Sequence, residues 1–365
     1  MRITYIIEGL SNSGGMERVV SLKASWLAEN TSNDISIITF AQGAEKDFFP
    51  LSDKVNRVKW NLSGAKSFRD NLFRCLKDWL TENPQDICIS TYGREFWILP
   101  DFNDGSKKIV EFHFAYDINK HWLASSGNQL KTLILGSIKT WRMAKQARKY
   151  NRIVCLTKAD LKRWNTEKAI QIYNPITIPQ TKTADCTSKV VVAMGRMDRQ
   201  KGFDILLDCW KLIEDKYPEW LLKIYGGGDA SPYEKQIEDL QLKRAHLLGR
   251  TADVPSVLRD GSIYVLSSRY EGFSLTICEA MSCGLPIVTF DCPSGPAELV
   301  KNGTNGYIIN KVGDIHSMAE YLSQLMDDEK QRSVFGKESY KMSDNYSLDS
   351  VMEKWVFLFE SMSKS

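Results

Sequence analysis

Two carboxylates stand eight residues apart in Glu271-Gly272-Phe273-Ser274-Leu275-Thr276-Ile277-Cys278-Glu279, across a Gly-Phe-Ser turn that reads as leading into a helix. At about 1.5 Å of rise per residue, eight helical positions span about 12 Å. Two acids acting on one bond need a separation of about 5–10 Å. The spacing instead suits two acceptors that grip opposite ends of one elongated ligand, such as a nucleotide-sugar. The backbone N–H groups of Gly272, Phe273, Ser274 and Leu275 would lie at the helix start, where anions are stabilised. A second pair, Arg196 and Lys201, sits in the loop Gly195–Gly202 between an apolar run and a helical stretch. A planar guanidinium fork and a mobile ammonium both suit phosphate oxygens.

Residues with these tasks need a scaffold, and the chain supplies apolar runs alternating with helical stretches, the pattern of parallel α/β architecture. In the first half, residues 3–7, 35–40, 87–90, 109–112 and 153–156 read as strands. The first strand leads into Ser13-Gly14-Gly15-Met16, a tight turn before a helix over 16–29. A turn-rich stretch from Tyr173 to Ser188 breaks the pattern and reads as an interdomain linker. The pattern then restarts, with strands at 189–194, 221–225, 246–248, 263–266, 286–290 and 307–309 and a helix at 203–212. This organisation predicts two domains, 1–178 and 179–345. The apolar positions Val351, Trp355, Val356, Leu358 and Phe359 predict a C-terminal helix, and either domain is open to residues 346–365.

The order of these motifs resembles the family 4 glycosyltransferases of the GT-B fold. The matching pieces are the Gly14-Gly15 loop, Gly195-Arg196 with Lys201-Gly202, the turn Gly226-Gly227-Gly228-Asp229, Gly249-Arg250, and Glu271–Glu279 with its exit Gly284-Leu285-Pro286. They run from the amino terminus to about Gly306. The resemblance implies two Rossmann-like doubly wound domains facing a central cleft, the first on the acceptor side and the second binding the nucleotide-sugar. It implies that Arg196 and Lys201 bind the donor diphosphate, that Glu279 accepts hydrogen bonds from the ribose, and that Glu271 contacts the donor sugar. Gly195 belongs to the same diphosphate loop. The amides of Phe273, Ser274 and Leu275 would face sugar and diphosphate, Gly249 and Arg250 would border the base, and Gly15 would lie against the donor phosphate from the other domain. His113, after the run Ile109–Phe112, matches a histidine that family members carry near the donor sugar. A structural histidine among aromatics is the alternative reading, and His121 is a weaker rival. The expected reaction is retaining transfer of a hexose or N-acetylhexosamine, from a donor expected to be UDP-linked, to a lipid-linked or oligosaccharide acceptor in bacterial surface polysaccharide or O-antigen synthesis. No cofactor and no metal are expected, and no Asp-x-Asp motif is present. A UDP-sugar epimerase on the same fold, or a non-catalytic membrane-associated sugar-nucleotide subunit, remain alternatives.

Composition narrows the setting. Eight cysteines without a Cys-x-x-Cys pair fit a reduced, cytoplasmic protein better than a disulfide framework or a zinc site. No apolar run reaches the roughly 18 residues of a membrane span. The net charge is +3, but residues 1–180 carry 26 Lys/Arg against 18 Asp/Glu. No acidic residue lies between Asp117 and Asp160, and within that interval residues 130–143 interleave apolar and basic side chains around Trp141. The segment fits an anionic membrane surface, giving a peripheral protein at the inner face of the cytoplasmic membrane. It fits equally a core-packed helix with a solvated basic face. No nucleic-acid motif accompanies the charge. No Gly-x-Gly-x-x-Gly follows a strand, which disfavours a dehydrogenase.

Overall fold

A computed structural model describes residues 1–64, 66–120, 129–178 and 182–363. Contacts divide the chain into two units: residues 1–177 with 348–365, and residues 178–347.

Unit 1 opens with β1 (Arg2–Ile7), α1 (Gly15–Asn30), β2 (Asp34–Thr39), β3 (Asn56–Lys59) and α2 (Phe68–Glu82). It continues with β4 (Ile87–Ser90), β5 (Lys107–Glu111), α3 (Gln129–Ala147), β6 (Arg152–Cys155), α4 (Lys158–Trp164) and β7 (Ala169–Gln171). The seven strands are parallel, in the order β3-β2-β1-β4-β5-β6-β7. The central strands are apolar almost throughout because helices cover both faces. Successive side chains of β1 feed two cores. Ile3, Tyr5 and Ile7 pack with Val20, Ala24 and Leu27 of α1, while Ile6 packs with Leu72, Leu76 and Leu80 of α2 and Met143 of α3.

Unit 2 repeats the scheme. It holds β8 (Val190–Met194), α5 (Phe203–Ile213), β9 (Leu221–Tyr225), α6 (Ser231–Asp239), β10 (Ala245–Leu247), α7 (Val254–Arg259) and β11 (Ile263–Leu266). There follow α8 (Leu275–Ser282), β12 (Ile287–Phe290), α9 (Pro296–Leu299), β13 (Gly306–Ile309), α10 (Ile315–Asp327) and α11 (Glu329–Ser343). Its six parallel strands run β10-β9-β8-β11-β12-β13. In each unit the first strand has its sequence successors on one side and the later strands on the other. The order therefore reverses between β1 and β4, and between β8 and β11. In open α/β sheets, ligands bind beyond the carboxyl ends of the strands at such a reversal.

The last helix, α12 (Leu348–Ser363), belongs to unit 1, where Val351, Met352, Trp355, Leu358 and Phe359 complete the core built on α1. Each such buried side chain contributes roughly 1.5–3 kcal/mol of transfer free energy. Trp355 also lies beneath the Lys23 ammonium, 3.7 Å from its ring centre.

Two details depart from expectation. The short strands β3 and β7 are present at opposite ends of the first sheet, where partial burial leaves no apolar run to announce them. The helix in the Glu271–Glu279 stretch begins only at Leu275, so Glu271 lies in the preceding loop and the 12 Å helical spacing does not apply.

Candidate functional site

The loops after β8 and β11 meet at the reversal point of unit 2. The first carries Arg196 and Lys201; the second carries Glu271 and runs into α8. Lys201 Nζ donates to Glu271 Oε1 at 2.6 Å, and the side chains are 13 % and 6 % exposed. Ser268 Oγ donates to the same oxygen at 2.6 Å. An ammonium and a carboxylate so sparingly hydrated are held as a pair.

Two glycines permit this approach. The aliphatic stem of Lys201 lies against Gly195, where a Cβ would come within 2.9 Å of Lys201 Cδ. Gly202 adopts φ +65°, and a Cβ there would collide with the Ser267 carbonyl of the facing loop. Ser267 Oγ in turn donates to the Lys201 carbonyl at 2.9 Å. Gln200 completes the link, donating through Nε2 to the Tyr270 carbonyl at 3.1 Å and accepting the Arg269 amide at 2.8 Å.

Arg196 does not join Lys201. Its side chain is 72 % exposed, with Nε 2.9 Å from Asp198 Oδ2 and a guanidinium nitrogen donating to Gln200 Oε1 at 3.1 Å. It stands in water, paired with its own loop.

Glu279 is buried on α8, four residues past its start. Tyr264 of β11 reports its proximity to Glu271: burial first, and then the charges of both carboxylates, raise the phenol well above its ordinary range. The Phe273 side chain packs inward, 5.7 Å from the Tyr346 ring, so that residue offers its backbone alone. The Ser274 hydroxyl meets the Thr276 hydroxyl at 3.3 Å and caps no amide of α8, which leaves the first-turn amides from Leu275 onward at the open helix start. Gly249 follows β10, and its carbonyl accepts the Gly226 amide at 2.7 Å. The Arg250 side chain lies over Gly227.

Gly15 and His113 lie in unit 1. Gly15 is the first residue of α1. His113 stands two residues beyond β5, with its side chain 7 % exposed and Nε2 3.6 Å from Glu111 Oε1, too far for a hydrogen bond. Neither ring nitrogen has a hydrogen-bond partner among the described residues. Burial lowers its pKa, Glu111 opposes the shift and Lys23 adds to it, so the imidazole is neutral at pH 7. Glu111 is occupied elsewhere: Lys23 Nζ donates to both its oxygens, at 2.6 and 2.7 Å, with both side chains all but fully buried. His121 lies outside the described residues.

Sequence reading missed Ser267, Gln200 and Arg269, which hold the two loops together, and Ser268, which donates to Glu271 within its own loop. Only the run Ser267-Ser268 three residues before Glu271 hinted at them. It also assigned nothing to the loop Asp291–Glu298, yet the Pro293 carbonyl accepts the Glu271 amide at 3.2 Å. Among the described residues no group of three or more His, Cys, Asp or Glu side chains is placed to hold a metal ion.

A doubly wound pair of units, with an ion pair and a helix start at the reversal point of the second, is the arrangement of a nucleotide-sugar-dependent transferase. The family model "Glycosyl transferases group 1" matches residues 176–342. An uncharacterized glycosyltransferase of Haemophilus influenzae is 30 % identical, covering 97 % of this chain and 98 % of its own length. The amylovoran biosynthesis glycosyltransferase AmsD of Erwinia amylovora is 25 % identical, with 97 % and 98 % covered. The crystal structure of Anabaena HepE in complex with UDP superposes with a TM-score of 0.78 at 17 % identity, covering 99 % of this chain and 100 % of the other. The chain belongs to the group 1 glycosyltransferases, family 4, and its fold is GT-B.

Proposed function

We propose that this glycosyltransferase is a retaining enzyme. It would move a hexose or N-acetylhexosamine from a UDP-linked donor to an acceptor hydroxyl in bacterial surface polysaccharide synthesis. The observation that carries the reading is the sparingly hydrated Lys201–Glu271 pair at the reversal point of unit 2. UDP in the HepE complex and the amylovoran pathway of AmsD support the choice of donor and product class.

In this reading the donor diphosphate takes Lys201 from Glu271, draws in Arg196, and accepts from the α8 amides that begin at Leu275. Glu271, released, accepts from a donor sugar hydroxyl. Glu279 accepts from the ribose, and Gly249 with Arg250 borders the base. The acceptor hydroxyl attacks the anomeric carbon as its bond to the diphosphate oxygen breaks. UDP departs with the bonding electrons, and a phosphate oxygen takes the hydroxyl proton. Arg196 and Lys201 offset the charge that builds there, without a divalent metal. His113, neutral, offers a hydrogen bond to a sugar hydroxyl.

The proposed setting is peripheral, at the inner face of the cytoplasmic membrane. No helix among the described residues is long and apolar enough to cross a membrane. On α3, Leu133, Ile134, Leu135, Ile138 and Trp141 are each about half exposed or more, beside exposed Lys139, Arg142 and Lys145. Burying such a face among anionic lipids gains apolar transfer and charge attraction together.

The test is product analysis with radiolabelled UDP-sugars and a panel of lipid-linked and oligosaccharide acceptors. Label should enter an acceptor with the donor's anomeric configuration kept. Free epimer without transfer, or inverted product, contradicts the proposal.

A further inference from the structure

Unit 1 has its own reversal point, between β1 and β4, and a cavity of about 840 Å³ opens there. That volume suits a small-molecule ligand. Glu8, directly after β1, and Thr91 to Arg94, directly after β4, form its floor. Tyr92 holds φ +65°, a conformation that costs a non-glycine residue free energy and persists only where the surroundings impose it. The imposing element is Glu95, fully buried, whose Oε1 accepts from Ser90 Oγ and from the Gly93 amide, both at 2.8 Å. The loop is therefore fixed in place, and Tyr92, Phe68 and Trp97 line the cavity with aromatic surface.

Its charge is positive. Arg69, Arg94, Arg142 and Lys149 line it against Glu8 and Asp101, four cations to two carboxylates. Arg94 is spoken for, 3.8 Å from Glu8 and stacked on Phe68, and Lys149 lies 3.2 Å from Asp101. Among the described residues, Arg69 and Arg142 have no carboxylate partner.

Arg142 comes from α3, the helix with the exposed apolar residues, and Lys149 from the turn just past its end. At about 100° per residue, Ile134, Ile138 and Trp141 form one stripe, and Arg142 projects within about a quarter-turn of it. A ligand seated on these cations can thus extend an apolar chain along the helix without leaving the surface.

Resting on the transferase reading above, we propose that this cavity binds the sugar-diphosphate head of a membrane-borne lipid acceptor. Arg69, Arg142 and Lys149 would hold the diphosphate, Tyr92 and Trp97 would meet the faces of the sugar ring, and the α3 stripe would enter the lipid layer. A purely saccharide acceptor gives no use to the cations, and a polyol-phosphate chain gives none to the apolar stripe.

The experiment is calorimetric titration of the full chain with farnesyl-diphospho-N-acetylglucosamine, and separately with UDP. The wild type should bind both. Arg142→Gln/Lys149→Gln should weaken the lipid-diphosphate probe at least tenfold and leave UDP affinity within twofold. Ile138→Gln/Trp141→Gln should weaken the same probe but not N-acetylglucosamine 1-phosphate. Farnesyl N-acetylglucosaminide, lacking phosphate, should bind at least tenfold more weakly than the probe. The proposal is overturned if both double variants bind the probe as the wild type does, if the phosphate-free glycoside matches the probe, or if a glycerol-phosphate oligomer binds as tightly. Failure of the wild type to bind UDP would instead count against the donor reading alone.

Discussion

Replacing Lys201 by methionine separates chemistry from architecture at the candidate site. Methionine keeps an unbranched stem to lie on Gly195 and removes only the ammonium. In the wild type that ammonium sits 2.6 Å from Glu271 Oε1, with side chains 13 % and 6 % exposed, and Ser268 is the other side-chain donor on that oxygen. Leaving a nearly buried carboxylate without its cation costs about 3–5 kcal/mol, an upper bound here because a little water reaches the pair. At about 2–4 °C per kcal/mol for a unit of this size, the melting temperature should fall by about 6–20 °C. A hydrogen bond to a charged group contributes about 1.5–3 kcal/mol, so UDP should bind roughly 10–150-fold more weakly. The further variant Lys201→Met/Glu271→Gln removes the stranded charge. It should recover most of the melting temperature and none of the UDP affinity. Calorimetry for both quantities, with radiolabelled transfer for the rate, completes the cycle. The reasoning fails if Lys201→Met binds UDP within twofold of wild type, or if the double variant regains transfer.

Other outcomes follow from the same geometry. Lys23→Met strands Glu111 in the unit 1 core and should cost about 3–5 kcal/mol by denaturant titration, most of it restored by adding Glu111→Gln. Burial pushes Glu95 up from 4.5 to about 7, against the pull of its Ser90 and Gly93 hydrogen bonds. The folded chain then holds this proton where the unfolded chain has lost it. The stabilisation is complete below about 4.5, and up to about 3 kcal/mol of it disappears as pH rises to about 7. Glu95→Gln should flatten that slope in melts between pH 4.5 and 8, and an unchanged slope would contradict the assignment. His113→Phe removes two buried nitrogens that have no partner among the described residues, and should raise the melting temperature while cutting transfer at least tenfold. Equal transfer would remove His113 from the reaction.

Much of the scaffold was legible because parallel strands buried on both faces are written as plain apolar runs. Residues 87–90 and 263–266, buried at every position, were read with the bounds the structure has. Asn56–Lys59 was not, because a strand at the sheet's end is half-buried and its residues carry neither an apolar run nor a clean alternation. The site residues were named from motif order, but their arrangement was not in the sequence. Whether Lys201 meets Arg196 or Glu271 is decided by how the loops after β8 and β11 fold together, through Gly202, Ser267 and Gln200, and those contacts span some 70 residues. Likewise the apolar and basic residues of α3 could face a core or the outside. The fold settles it by turning Met143, Ala144 and Ala147 inward and leaving Ile134, Ile138 and Trp141 exposed.

The most direct measurement is a crystal structure of the protein with a non-hydrolysable UDP-sugar bound. The account predicts the diphosphate on Lys201 and the first amides of α8, with Arg196 turned in from solvent, the ribose on Glu279, and Glu271 parted from Lys201 and facing the sugar. A diphosphate bound elsewhere, with the Lys201–Glu271 pair still closed, would contradict it.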